Sequence, residues 1–114
     1  MRILVNCNDS LFCDLIVERL RIEGNDVNYV CNDDEMLALL SCSEYDLVIL
    51  VLDYRFADNA ILLKLTADGI RFFILSKLAD EYSVYSAYVS GVVYYMSLPV
   101  DFTKFLVKIK QLVY

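Results

Sequence analysis

"DLVILVLDYRF", residues 46–56, decides how the rest of the chain is read. Six apolar residues, Leu47 to Leu52, follow one another without a polar interruption. A strand with one wet face would alternate apolar and polar residues. A short unbroken run fits a strand covered on both faces, as in a parallel sheet between two layers of helices.

Similar short runs stand at residues 3–5 (ILV), 27–30 (VNYV), 72–75 (FFIL) and 92–96 (VVYYM). The segments between them carry helical spacing. Phe12, Ile16 and Leu20, with Leu15 beside them, mark the first helix; Met36, Leu37 and Leu40 the second; Ile61, Leu62 and Leu65 the third. The fourth runs from about Asp80 to Ser90 with Tyr82, Tyr85, Tyr88 and Val89 on one stripe, and Phe102, Phe105, Leu106 and Ile109 mark the fifth. Gly24, Gly69 and Gly91 each fall just after a helical stretch, where a left-handed residue ends a helix. Asp9 or Ser10, Asp33 and Asp101 stand where N-caps belong. Strict alternation with right-handed crossovers predicts an α/β fold, a doubly wound five-stranded parallel sheet.

The 114 residues suit one domain, 1–114, and no internal repeat or linker divides them. The composition is 59% hydrophobic with mean hydropathy +0.50, enough for a sizeable core. No run reaches the roughly 18 apolar residues of a membrane span. MRILVN opens directly into a strand pattern without a leader's basic start, so a cytoplasmic location is expected. A net charge of −6 argues against gripping nucleic acid with this surface, since such binding needs clustered Lys and Arg. Only Lys104, Lys108 and Lys110 gather on one segment.

Cys7, Cys13, Cys31 and Cys42 show no CxxC spacing, and the chain has no histidine, so no metal or other cofactor is expected. Reduced cysteines packed as small hydrophobes are the expectation. Cys7 and Cys31 follow strands that should be neighbours; whether their sulfurs meet depends on geometry that spacing does not give.

In doubly wound sheets ligands collect at the carboxyl ends of the strands. That singles out residues 6–9, 51–54, 76–77 and 97–100. Here the chain resembles a family. "MRILVNCND", "EYDLVIL", "FFILS" and "SGVVYYMSLPVDF" followed by "FLVKIKQL" are similar to the receiver domains of two-component response regulators. The branch most resembled is that of winged-helix transcription factors. The resemblance covers the whole chain and implies a flavodoxin-like sheet of strand order 2-1-3-4-5. It also implies a Mg²⁺-binding acidic pair, an acceptor aspartate, a hydroxyl residue and a lysine, because Mg²⁺ wants carboxylate oxygens and a phosphoryl group wants charge-assisted donors.

Carried over residue by residue, the acidic pair falls on Cys7 and Asn8, the acceptor on Val51 and the lysine on Leu98. Ser76 keeps the hydroxyl, Pro99 the proline and Tyr95 the switch aromatic. The resemblance implies a cis bond before Pro99. A phosphorylation pocket degenerate at these positions predicts a receiver that switches without phosphate and is not an enzyme. Asp53, two residues beyond Val51, is either a displaced acceptor or a loop carboxylate; a thiol-sensing or partner-docking module is a further alternative.

Five of the nine tyrosines lie between residues 82 and 95. The resemblance implies a dimer face built from the fourth helix, fifth strand and fifth helix. Tyr82, Tyr85, Tyr88, Val93, Tyr94, Lys104, Val107 and Lys108 are its candidate residues, in a homodimer held more by apolar contact than by ion pairs. The competing reading packs Tyr85, Tyr88 and Val89 onto the sheet. DNA would be reached only through a domain absent from this chain, and no membrane partner is expected.

Overall fold

The computed structural model describes residues 1–8, 10–53, 58–78 and 80–113. Along them strand and helix alternate as β1 (Arg2–Cys7), α1 (Ser10–Ile22), β2 (Asp26–Val30), α2 (Asp33–Cys42), β3 (Leu47–Asp53), α3 (Asn59–Ala67), β4 (Phe72–Ser76), α4 (Glu81–Val89), β5 (Tyr94–Ser97) and α5 (Phe102–Val113). Every strand pair is parallel, and the order is β2-β1-β3-β4-β5, the flavodoxin-like topology expected.

The apolar strands are unbroken because their alternate side chains feed two cores. Ile3, Val5 and Cys7 of β1 join Leu47, Ile49 and Val51 of β3 and Phe73 and Leu75 of β4 in one cluster. That cluster is covered by Cys13, Ile16, Val17 and Leu20 of α1 and by Phe105 and Ile109 of α5. The intervening residues, Leu4, Val48, Leu50, Phe72 and Ile74, pack on the other face against Met36, Leu62, Leu65 and Ala87 from α2, α3 and α4. Phe73 anchors the first core, edge-on to Phe105 with ring centroids 5.6 Å apart and tilted against Tyr94 at the same distance.

Local details correct four expectations. Leu15 is exposed; the inward face of α1 runs through Cys13 and Val17 instead. The N-cap of α2 is Asn32 rather than Asp33, and its side chain accepts from the Glu35 N–H at 2.8 Å. The strand expected over residues 92–96 pairs only from Tyr94, because the Val92 N–H closes α4 by bonding the Ala87 carbonyl at 3.1 Å. Only Cys7 and Cys13 are buried, whereas Cys31 and Cys42 are exposed.

Asp101 caps α5 as expected, accepting from the Thr103 N–H at 2.9 Å. Asp80 caps α4, and hydrogen bonds from the Ser83 side chain and backbone hold its carboxyl below the usual range. Asp9 lies outside the described residues. The three glycines have the positive φ that helix ends require. No helix among the described residues is long and apolar enough to cross a membrane.

Candidate functional site at the carboxyl ends of the strands

The ends of β1, β3 and β4 lie side by side, with Cys7 in register with Val51 and Val51 with Leu75. Cys7 and Val51 are core residues of one apolar cluster, and Leu98 packs against it. Three positions to which the resemblance gave an acid, the acceptor aspartate and a lysine are thus merged into hydrophobic packing. Val51 is 2% exposed. Asn8, the other half of the implied acidic pair, is exposed to solvent.

These residues do not fit Mg²⁺. A hard cation wants several oxygen ligands, and the positions offer a buried thiol, an amide and a valine. The described residues hold no group of three or more His, Cys, Asp or Glu able to ligate a metal.

Ser76 keeps its place but has local work. Its hydroxyl accepts from the Leu78 N–H at 3.0 Å, and its carbonyl accepts from the Leu98 N–H at 2.8 Å. Leu98 leads into Pro99 through a cis peptide, as the resemblance implied. Tyr95 is half-buried on the opposite face, its hydroxyl donating to the Leu78 carbonyl. One loop residue, Leu78, therefore ties Ser76 to the switch aromatic.

Asp53 was expected to lie past the end of its strand. Its backbone instead remains in β3, because a bulge between Val51 and Asp53 absorbs one residue and brings Asp53 into register with Ser76. The Asp53 side chain and Tyr54 lie outside the described residues.

Two further features escaped the reading by sequence. Cys13 descends from α1 onto Cys7: burial first, then the Cys7 thiol beside it, pushes the Cys13 thiol up to about 12. Asn6, 4% exposed, turns its amide nitrogen to the Asp33 carboxylate at 2.9 Å. Its carbonyl oxygen is buried with no hydrogen-bond partner among the described residues. The asparagine inside "ILVNC" was the available signal, since a polar residue in a doubly covered strand needs a partner.

The aromatic stripe faces solvent. Tyr82 is 75% and Tyr85 71% exposed, with Tyr88, Val89 and Val107 also exposed. Helix α4 packs inward through Ala87, with Ser83, Val84 and Ser86 half-buried. The competing arrangement, in which the tyrosines cement α4 to the sheet, is therefore not the one adopted. The Tyr88 hydroxyl reaches the sheet, accepting from the Tyr95 N–H at 3.3 Å. Val93 and Tyr94 do turn inward, onto the α1/α5 core. The Lys108 ammonium lies 4.2 Å from the Tyr94 ring centroid, and Lys104 is exposed.

No protein-family model and no curated protein matches this sequence. Solved structures do. An orphan response regulator of H. pylori superposes with TM-score 0.90 at 16% identity, over 100% of this chain and 97% of that one. The fold is that of a response-regulator receiver domain. A two-component response regulator from Clostridium difficile gives TM-score 0.90 at 19% identity, covering 99% of this chain and 95% of its own. A Francisella response-regulator receiver domain gives 0.86 at 21% identity, covering 97% and 94%. At such identities the likeness extends to the backbone, and the chemistry of the site rests on this chain's own side chains.

Proposed function

We propose that this chain is a receiver-type regulatory module of a cytoplasmic response regulator, non-enzymatic, whose output does not depend on phosphoryl transfer. The observation that carries this reading is the merging of Cys7, Val51 and Leu98 into one apolar cluster at the carboxyl ends of the strands. An aspartyl phosphate needs a cation and charge-assisted donors around it. Val51 and Leu98 supply neither. In a receiver that switches, added charge biases a two-state surface that a partner reads; here sequence or another input sets that bias.

The partner on this reading is a second copy of the chain, joined through α4, β5 and α5. The support is the stripe of Tyr82, Tyr85 and Val89, with Val107 exposed on α5. Tyrosine combines large contact area with a hydroxyl that tolerates a wet rim. Helix α4 has no basic residue from Glu81 to Val89, so apolar contact carries more of the assembly than ion pairs. Regulation of transcription would follow through a winged-helix domain of the parent regulator, not through this acidic surface.

Sedimentation equilibrium tests the reading. A dimer at micromolar concentration is expected, unchanged by Mg²⁺ and beryllofluoride. Tyr85→Ala should weaken it by about 30-fold, the size of an aromatic hot spot of ~2 kcal/mol. A monomer that dimerises only with the phosphate mimic would overturn both parts.

One observation favours a second reading. The bulge that sets Asp53 opposite Ser76 returns a carboxylate-bearing residue to the level of the retained hydroxyl. Incubation with a small-molecule phosphodonor and Mg²⁺, followed by mass spectrometry, separates the two. The leading reading expects no stable adduct. A single phosphoryl adduct that vanishes in Asp53→Ala would make Asp53 the acceptor.

A further inference from the structure

We propose that the carboxyl ends of β1 and β2 form a redox modification site, in which a hydroperoxide drives a reversible disulfide between Cys31 and Cys7. The strand register carries this assignment. Asn6 pairs with Val30, so the residues that follow, Cys7 and Cys31, leave adjacent parallel strands at the same level. Neighbouring strands run roughly 4.8 Å apart, inside the ~4.4–6.8 Å Cα separation that a disulfide spans.

Alternation carried one residue past Val30, where β2 ends, puts both sulfurs on one side of the sheet. Ile3 pairs with Val27, and both feed the α1/α5 core; Val5 pairs with Tyr29 two residues on; Cys7 and Cys31 come next. Cys13 arrives from α1 above them. Its thiol hydrogen-bonds Cys7 and lies close enough to Cys31 to be affected by that residue's charge. Cys7 and Cys13 are thus in contact, and Cys31 lies within electrostatic reach of them, at the implied metal position of Cys7. Of the three only Cys31 is exposed.

That difference orders the chemistry. The Cys31 thiolate attacks the outer oxygen of the hydroperoxide; the O–O bond breaks, an alcohol (or water) departs, and Cys31 becomes a sulfenic acid. The Cys7 thiol loses its proton and attacks the Cys31 sulfur; the S–O bond breaks, and the hydroxide leaves with that proton as water. Two thiols are oxidised to one disulfide, and one hydroperoxide is reduced. Cys13 is not the attacking sulfur. It hangs from α1, whereas Cys7 follows Asn6 in register with Val30 and so is the strand neighbour of Cys31.

The test is a titration of the reduced chain with hydrogen peroxide. Remaining thiols are then alkylated and the chain is cleaved at aspartates without reduction. Asp9 separates Cys7 from Cys13 and Asp33 separates Cys31 from Cys42, so each cysteine reports alone. The expected product is a linked peptide pair holding Cys7 and Cys31, carrying the majority of Cys31 while most of the exposed Cys42 is still alkylated. Dithiothreitol should reverse it, and Cys31→Ser, a surface change that leaves the core intact, should abolish it. The proposal is overturned if Cys31 stops at sulfinic acid, links to Cys13, or joins a second chain through an intermolecular bond. Monomer and dimer would cross-link alike, so this outcome is independent of the oligomeric state.

Discussion

Phe105→Ala is expected to lower the stability of the domain by ~3–5 kcal/mol, the usual cost of emptying a buried phenylalanine site. Phe105 is fully buried and packs edge-on against Phe73 of β4, seating α5 on the sheet. Its removal takes away the transfer free energy of the ring, the edge-on contact and the seat of α5 together. Against a typical total of roughly 5–15 kcal/mol, this is a loss of about a fifth or more, equivalent to roughly 12–20 °C in Tm for a domain of this size. Leu63→Ala on the exposed side of α3 is the control, expected to change stability by no more than about 0.5 kcal/mol. Urea unfolding of the two variants checks the contrast. A loss below ~1.5 kcal/mol for Phe105→Ala would mean that α5 does not depend on this contact.

Gly91→Ala should cost nearly as much although it adds only one carbon. Gly91 ends α4 at φ +103°, and a Cβ there would stand 2.4 Å from the Thr66 Oγ1. That hydroxyl cannot easily retreat, because it donates to the Ser90 carbonyl at 2.7 Å and so ties α3 to the end of α4. Backbone strain of ~1–2 kcal/mol and a displaced hydrogen bond of about 1 kcal/mol add to the overlap, giving ~3 kcal/mol. Gly24→Ala isolates the backbone share. Its φ is +92° and an added Cβ would meet nothing within 4 Å, so only the strain of ~1–2 kcal/mol is expected. Thr66→Ala combined with Gly91→Ala should cost less than the sum of the two single changes, since the methyl then enters the space of the missing side chain. Equal losses at Gly24 and Gly91 would exclude the Thr66 contact as the cause.

The alternation of strand and helix was legible because the apolar runs are short and separate, and three of the five helices, α1, α3 and α4, end at a glycine. Errors came where two neighbouring residues offer the same chemistry. Asn32 and Asp33 can both cap α2, and the backbone chose the first. Leu15 and Val17 flank Ile16 equally, and packing buried the valine. The bulge at residue 52 left no trace in composition, since Leu52 is as apolar as its neighbours while the irregularity belongs to the backbone.

At the candidate site, the positions given by the resemblance were found together, but what they do there was set by packing. Cys13 lies on α1 and Cys7 on β1, and no spacing rule joins a helix to the strand beneath it. The tyrosines of α4 could not be oriented from their own chemistry, because a tyrosine is content on either side of an interface. The orientation was written in their neighbours: Ser83, Ser86 and Ala87 are small enough for α4 to lie close on the sheet.

The burial of Val51 makes an acceptor carboxylate hard to introduce at this pocket. A Val51→Asp substitution alone would place a carboxylate beside Cys7 in an apolar cluster, with no cation from position 98 to receive it. An unpaired buried charge costs several kcal/mol, and a lysine at position 98 alone would face the same apolar surroundings. Each of these substitutions, taken alone, costs stability before the pair could create a site for a phosphoryl group. This core is therefore expected to accommodate another input more readily than a newly built phosphoryl site.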